Sequence, residues 1–155
     1  MNAAVADLYR RIYPIVREKC RRLVGDDAAH DIAQETFLKL LKTTIAHDDV
    51  DGLTAWVYRV GTRAAIDWLR GSRLVPAAVD DSRTVEADES RVWSRRTLAR
   101  LATIVEPALL EVAIVVRVDG LTHAEAGAVL QMSDRTVRRH LLRFDEVLTQ
   151  EGLRS

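Results

Sequence analysis

Asp119-Gly120-Leu121-Thr122-His123-Ala124-Glu125-Ala126-Gly127-Ala128-Val129-Leu130-Gln131-Met132-Ser133-Asp134-Arg135-Thr136-Val137-Arg138-Arg139-His140-Leu141 is the stretch on which the fold turns. Thr122 and Glu125 stand three apart, as in a capping box: the hydroxyl accepts an orphan amide of the first turn, and the Glu side chain reaches back to the cap's own N–H. A short helix therefore starts at His123 and stops near Leu130. Gln131-Met132 leads to Ser133, a second N-cap, and Asp134 stands at the positive end of the next helix dipole. At about 100° per residue that helix sets Val137, Leu141, Phe144 and Leu148 on one face and Arg135, Arg138, Arg139 and Arg143 on the other. Two short helices with a tight turn, the second arginine-lined from its N-terminus, suit a major groove, where Arg bridges guanine O6 and N7. The bland alternative is an arginine-rich surface helix that binds nothing.

Working outward, the 155 residues are 48% hydrophobic and 30% charged, enough to bury one or two small cores. Formal net charge is zero, so any DNA contact comes from local arginine stripes rather than from a basic coat. The single cysteine, Cys20, has no internal partner for a disulfide and no CxxC neighbour. The longest apolar run, Ala108 to Val118, is broken by Glu111 and Arg117 and is too short to span a bilayer. With no signal-peptide pattern, a cytoplasmic location without membrane insertion is expected.

Upstream, Val5 to Leu23 keeps helical spacing, with a bend expected at Pro14; Asp26 or Asp27 is expected to cap the next helix. That second helix, Ala28 to Thr43, gathers Ala29, Ile32, Ala33, Thr36, Phe37, Leu40 and Leu41 into one stripe. Asp27, Asp31, Gln34, Glu35, Leu38 and Lys42 fall on the opposite arc, which is either a solvated face with one stray leucine or a docking patch. The loop from His47 to Gly52 lacks the carboxylates of a calcium loop, and no metal site is expected there.

A third helix, Leu53 to Ser72, points Leu53, Trp56, Val57, Val60, Ala64 and Trp68 inward. Arg59, Arg63, Ile66, Arg70 and Arg73 line an outer stripe. Arginines so spaced track a nucleic-acid backbone, and Trp56 and Tyr58 are candidates for stacking on unpaired bases; the alternative is a solvated face with Asp67 pairing Arg63. From Gly71 to Glu89 the periodicity lapses, and Pro76, small residues and acids read as a flexible linker. A helix from Ser90 to Val105 comes next, then one from Ala108 to Val118, apolar on nearly every side and so the core of a small bundle, with Pro107 at its first position. The fold class is all-α: two small helical domains joined by a flexible linker, the second containing the helix-turn-helix.

Together, Asp31-Ile32-Ala33-Gln34-Glu35-Thr36-Phe37-Leu38, Thr54-Ala55-Trp56-Val57-Tyr58-Arg59-Val60, Ala65-Ile66-Asp67-Trp68-Leu69-Arg70, and the spacing of Asp119-Gly120-Leu121-Thr122, Glu125, Leu130, Ser133, Thr136-Val137 and His140-Leu141 carry a resemblance. The chain resembles the extracytoplasmic-function group of bacterial RNA polymerase sigma factors, in the sigma-70 family, over almost its whole length. The resemblance implies a sigma-2-like domain over 1–73, a linker over 74–89 and a sigma-4-like domain over 90–155. It implies that Asp31, Gln34, Glu35 and Leu38 dock on core RNA polymerase. It also implies that Trp56, Tyr58, Arg59, Thr62, Arg63, Arg70 and Arg73 meet the -10 element of promoter DNA, and that Ser133, Asp134, Arg135, Thr136, Arg138, Arg139 and Arg143 read the -35 element. An anti-sigma factor is an expected partner; no cofactor and no small-molecule substrate are.

The chain departs from the family's pattern at three places. Thr62-Arg63 replaces the usual Arg-Asn, so the contact to a flipped-out base is expected to be altered or lost. Ala126-Gly127 replaces Ile-Ala, at about 1 kcal/mol for a mid-helix Gly. Gln131 replaces the turn glycine, a mildly strained choice. These last two predict a second domain less rigid than its relatives. A stand-alone regulator dimerising on DNA shares the helix-turn-helix wording, but it needs a sensor or a dimer seam, and neither a phosphoacceptor pattern nor sustained heptads is present. An enzyme is not expected: His30, His47, His123 and His140 are scattered, and no nucleophile elbow, phosphate loop or carboxylate pair is assignable.

Overall fold

The computed structural model describes residues 3–46, 48–71 and 93–153. The expected linker over 74–89, Arg73 and His47 lie outside them. Among the described residues all regular structure is helical, and no helix is long and apolar enough to cross a membrane.

Helix α1 runs Ala3–Val24 with Pro14 inside it. Val24 is followed by Gly25, whose φ of 88° is a left-handed conformation that only glycine adopts without steric cost. Gly25 serves as the N-cap of α2, Asp26–Leu40, and the two aspartates expected to cap that helix lie in its first turn instead. There they complement the dipole. Ala29, Ile32, Ala33, Thr36, Phe37 and Leu40 are buried as the periodicity requires. Leu41, assigned to the same stripe, is exposed, because the helix ends one residue before it. Helix α3, Val50–Gly71, starts earlier than its apolar pattern does. Asp49 causes this, its carboxylate accepting the Gly52 N–H at 2.9 Å in the manner of an N-cap.

Two compact units divide at Ala65/Ile66, inside α3. In the first, α1 and α2 pack along their lengths through Leu8, Ile12, Val16, Ala29, Ile32 and Phe37, and Cys20 approaches the Gly61 carbonyl of α3 at 3.8 Å.

In the second unit Ser94 caps α4, Arg95–Ile104, accepting the Thr97 N–H at 3.2 Å. The helix begins later than expected because this cap sets its start. Helix α5, Pro107–Ala113, carries its proline at the first turn, and a π-helical turn over Ile114–Val118 replaces the expected continuation to Val118. Leu109, Leu110, Val112, Ala113, Ile114 and Val115 are buried, so the all-round apolar segment is the core of this unit. Helices α6, His123–Leu130, and α7, Asp134–Gln150, complete the helix-turn-helix. Gly152, at φ 67°, closes α7.

Candidate functional site

In the helix-turn-helix the capping box forms as the spacing requires: Glu125 N–H donates to Thr122 Oγ1 at 3.1 Å, and Thr122 N–H donates to Glu125 Oε1 at 3.2 Å. That ionised-form bonding, Thr122's contribution first, holds the Glu125 carboxyl below the usual carboxylate range. The turn is made by Gln131 at φ 57°, ψ 48°, the left-handed position that usually calls for glycine. Both Gln131 N–H and Met132 N–H point to the Gly127 carbonyl, the latter at 2.9 Å. A Cβ on Gly127 would stand 2.6 Å from the Met132 carbonyl oxygen, a backbone atom that the turn fixes. Gly127 is therefore the point at which the turn folds back on α6. The close approach calls for a residue without a Cβ here, whatever helix propensity alone would cost at this position.

On α7, Ser133 accepts the Thr136 N–H at 3.1 Å and also bonds the Thr136 hydroxyl. Val137, Leu141, Phe144 and Leu148 are buried, and Arg135, Arg138, Arg139 and Arg143 are exposed on the far side, the partition read from the sequence. The Asp134 carboxylate pairs with the Arg138 guanidinium one turn on, along the face that carries the arginines. Leu142 stands among them at 65% exposure.

On α2, Asp31, Gln34, Glu35 and Leu38 are all exposed and share one face at i, i+3, i+4, i+7, with Leu38 at 57%. Rings lock the flank beside it. Tyr9 stacks on Tyr13 at 4.7 Å between centroids and meets Phe37 edge-on at 4.9 Å, while the Tyr13 hydroxyl and His30 Nδ1 share a hydrogen bond. Partial burial, more than any charge, raises the Tyr13 hydroxyl above its ordinary pKa. The acidic arc is thus an open face on a helix whose flank is packed by these rings.

The α3 stripe is where the structure departs from expectation. Trp56 is 8% exposed and Thr62 fully buried, so neither side chain stands on the surface where a base would meet it. Thr62 Oγ1 is buried with no hydrogen-bond partner. Ile66, assigned to the outer stripe, is 1% exposed. Arg63 is exposed and Arg59 half-buried, whereas Arg70 donates from Nε to the Ala102 carbonyl at 3.0 Å within the second unit. Tyr58 is half-buried beneath the Lys19 ammonium, 4.7 Å from its ring centroid. The physical reason is a change of buried face. Leu53, Trp56 and Val57 bury one side of α3, whereas Thr62, Ala65, Ile66 and Leu69 bury the side about half a turn away.

Two features had no reading in the sequence. Lys19 is buried, and its place on the Ile12, Val16 and Leu23 face was the available signal. Arg117 forms a two-bond fork with Asp145 at 2.6 and 2.8 Å, joining the π-helical turn to α7, and nothing in local spacing marks a pair so far apart in the chain.

Residues 8–74 match the family profile described as Sigma-70 region 2. Over 153 residues the chain is 28% identical to RNA polymerase sigma factor CarQ of Myxococcus xanthus, an alignment covering 95% of this chain and 88% of that protein.

Proposed function

The chain belongs to the sigma-70 family of RNA polymerase sigma factors, in its extracytoplasmic-function group, and from that premise we propose how its residues share the work of promoter recognition. Core RNA polymerase and promoter DNA are the partners of such a factor, and the stand-alone dimeric regulator is not favoured. The first domain docks on the polymerase through Asp31, Gln34, Glu35 and Leu38. Arg59, Arg63, Tyr58 and the exposed Arg70 are the residues of α3 that meet the -10 element. The second domain reads the -35 duplex through α7, with Arg135, Arg138 and Arg139 in the turns nearest the base edges and Ser133, Asp134, Thr136 and Arg143 around them. An anti-sigma partner holding the factor inactive fits the family's habit and rests on analogy. It acts in the cytoplasm, with the polymerase.

The observation that carries this reading is the pairing of one open acidic face on α2 with one open arginine face on α7, each backed by a fully buried opposite side. The experiment is run-off transcription with purified core polymerase on a promoter library, using the native chain and a D31K/E35K variant. The native chain is expected to select promoters sharing a -35 sequence. The variant is expected to lose core binding while its helical signal and melting temperature stay nearly unchanged. Equal core affinity for the two proteins removes the docking assignment.

A further inference from the structure

We propose that the Arg117–Asp145 fork is a positioning device for sequence reading: it sets the roll of α7 in the groove, and its loss relaxes -35 discrimination without unfolding the domain. The inference rests on α7 being the duplex-reading helix.

The buried stripe Val137, Leu141, Phe144 and Leu148 holds α7 to its unit through apolar contact, which is strong but non-directional. A helix so held can roll or slide by small amounts at little cost in buried area. Base-edge recognition tolerates little of this, since a functional side chain has to be placed within about 0.5 Å and 10–20° of its productive geometry. The fork supplies the missing direction. Arg117 Nη1 and Nη2 donate to the two oxygens of Asp145 at 2.6 and 2.8 Å, a planar pairing with one orientation. Both side chains are about 70% shielded, so the pair is less open to solvent and salt than the exposed Asp7–Arg11 and Glu18–Arg22 pairs of α1.

Both partners are themselves held. The Arg117 guanidinium lies 5.5 Å from the ring centroid of Phe144, the fully buried neighbour of Asp145, and Trp93 packs on that ring at 5.5 Å. Arg117 sits in the π-helical turn, which is pinned by Asp119 N–H to the Ile114 carbonyl at 2.9 Å and Leu121 N–H to the Val115 carbonyl at 3.2 Å. That turn leads directly into the capped start of α6. Asp145 lies two turns beyond Arg138 on the same helix, at the edge of the buried stripe. It contacts no base from there, and it is placed to govern how the arginine face is presented. A π-helical turn often marks a functional site; here it aims Arg117 at α7.

The test uses holoenzyme assembled from core polymerase and the full chain. The probes are a promoter fragment recovered by that holoenzyme from a random library and the same fragment with its -35 sequence scrambled. Arg117→Lys keeps the cation and loses the fork, and Asp145→Asn keeps the shape and loses the charge. Each is expected to lower the matched-to-scrambled affinity ratio about tenfold, with affinity for the scrambled fragment and melting temperature near native. The double variant is expected to lose no more than either single one, because the pair acts as a unit. An unchanged ratio, an equal loss on both fragments, or additive losses in the double variant would overturn the inference while leaving the helix-turn-helix reading intact. A native holoenzyme that binds both fragments equally overturns both.

Discussion

Helices α3 and α7 both carry arginines at helical spacing, yet α7 keeps one face buried from end to end and α3 changes its buried face midway. On α7 the four buried residues are separated from the arginines by clean angular margins, so one phase of about 100° per residue describes the whole helix. On α3 small and apolar residues lie all round: Ala55, Val57, Val60, Ala64, Ala65, Ile66 and Leu69. A single phase fitted to its first half therefore misplaces Thr62 and Ile66 in its second. The difference teaches that arginine spacing defines one continuous exposed face only where the opposite side is uniformly apolar and packs on one surface.

The sharpest way to break this comparison is to truncate one apolar residue on each supposed outer stripe. Ile66→Ala is expected to cost about 2–5 kcal/mol of unfolding free energy, as for a buried aliphatic side chain. Leu142→Ala on α7 is expected to stay within about 0.5 kcal/mol of native. Equal effects in denaturant titration would mean that the two stripes are alike after all.

Next in size is Arg138→Ala, which is expected to cost about 1–3 kcal/mol on a matched promoter and much less on one with a scrambled -35 sequence. The same loss on both templates would reduce α7 to an electrostatic anchor. By contrast Arg63→Ala is expected to weaken binding on both templates alike and to lower the salt slope of log affinity by about 0.7–0.9. A loss confined to one template would make Arg63 a base reader.

Two glycines inside helices, Gly61 and Gly127, test packing against propensity. Gly61→Ala on α3 is expected to stabilise by about 0.5–1 kcal/mol, since the added Cβ meets Lys19 and Cys20 atoms no nearer than 3.7 Å. Gly127→Ala is expected to destabilise by about 1 kcal/mol net, the overpacking against the Met132 carbonyl exceeding the propensity gain. Paired thermal melts check the sign, and a stabilised Gly127→Ala would show that the turn yields.

The smallest effect is electrostatic. The folded-state pKa of Glu125 lies below its ordinary value, so the stabilisation it lends α6 is present above the ordinary carboxylate range and is lost as pH falls through the depressed value. Glu125→Gln keeps a capping-box residue without the titration, and its stability is expected to be flatter than native in that acid window. Parallel slopes would assign the acid sensitivity to other carboxylates.

By itself the sequence determined the helix-turn-helix: Thr122 with Glu125 and Ser133 with Thr136 bond within three residues, and the α7 stripe repeats locally, so each signal is complete in a short window. It also determined the exposed α2 arc, because the opposite stripe is continuous over about three turns. Tertiary structure alone decided the burial of Thr62 and Ile66, the role of Gly127, and the Arg117–Asp145 fork. Each depends on an approach between backbone or side chains that periodicity does not encode. A helical wheel assigns directions from one axis, whereas burial depends on which neighbours the rest of the chain brings to each side.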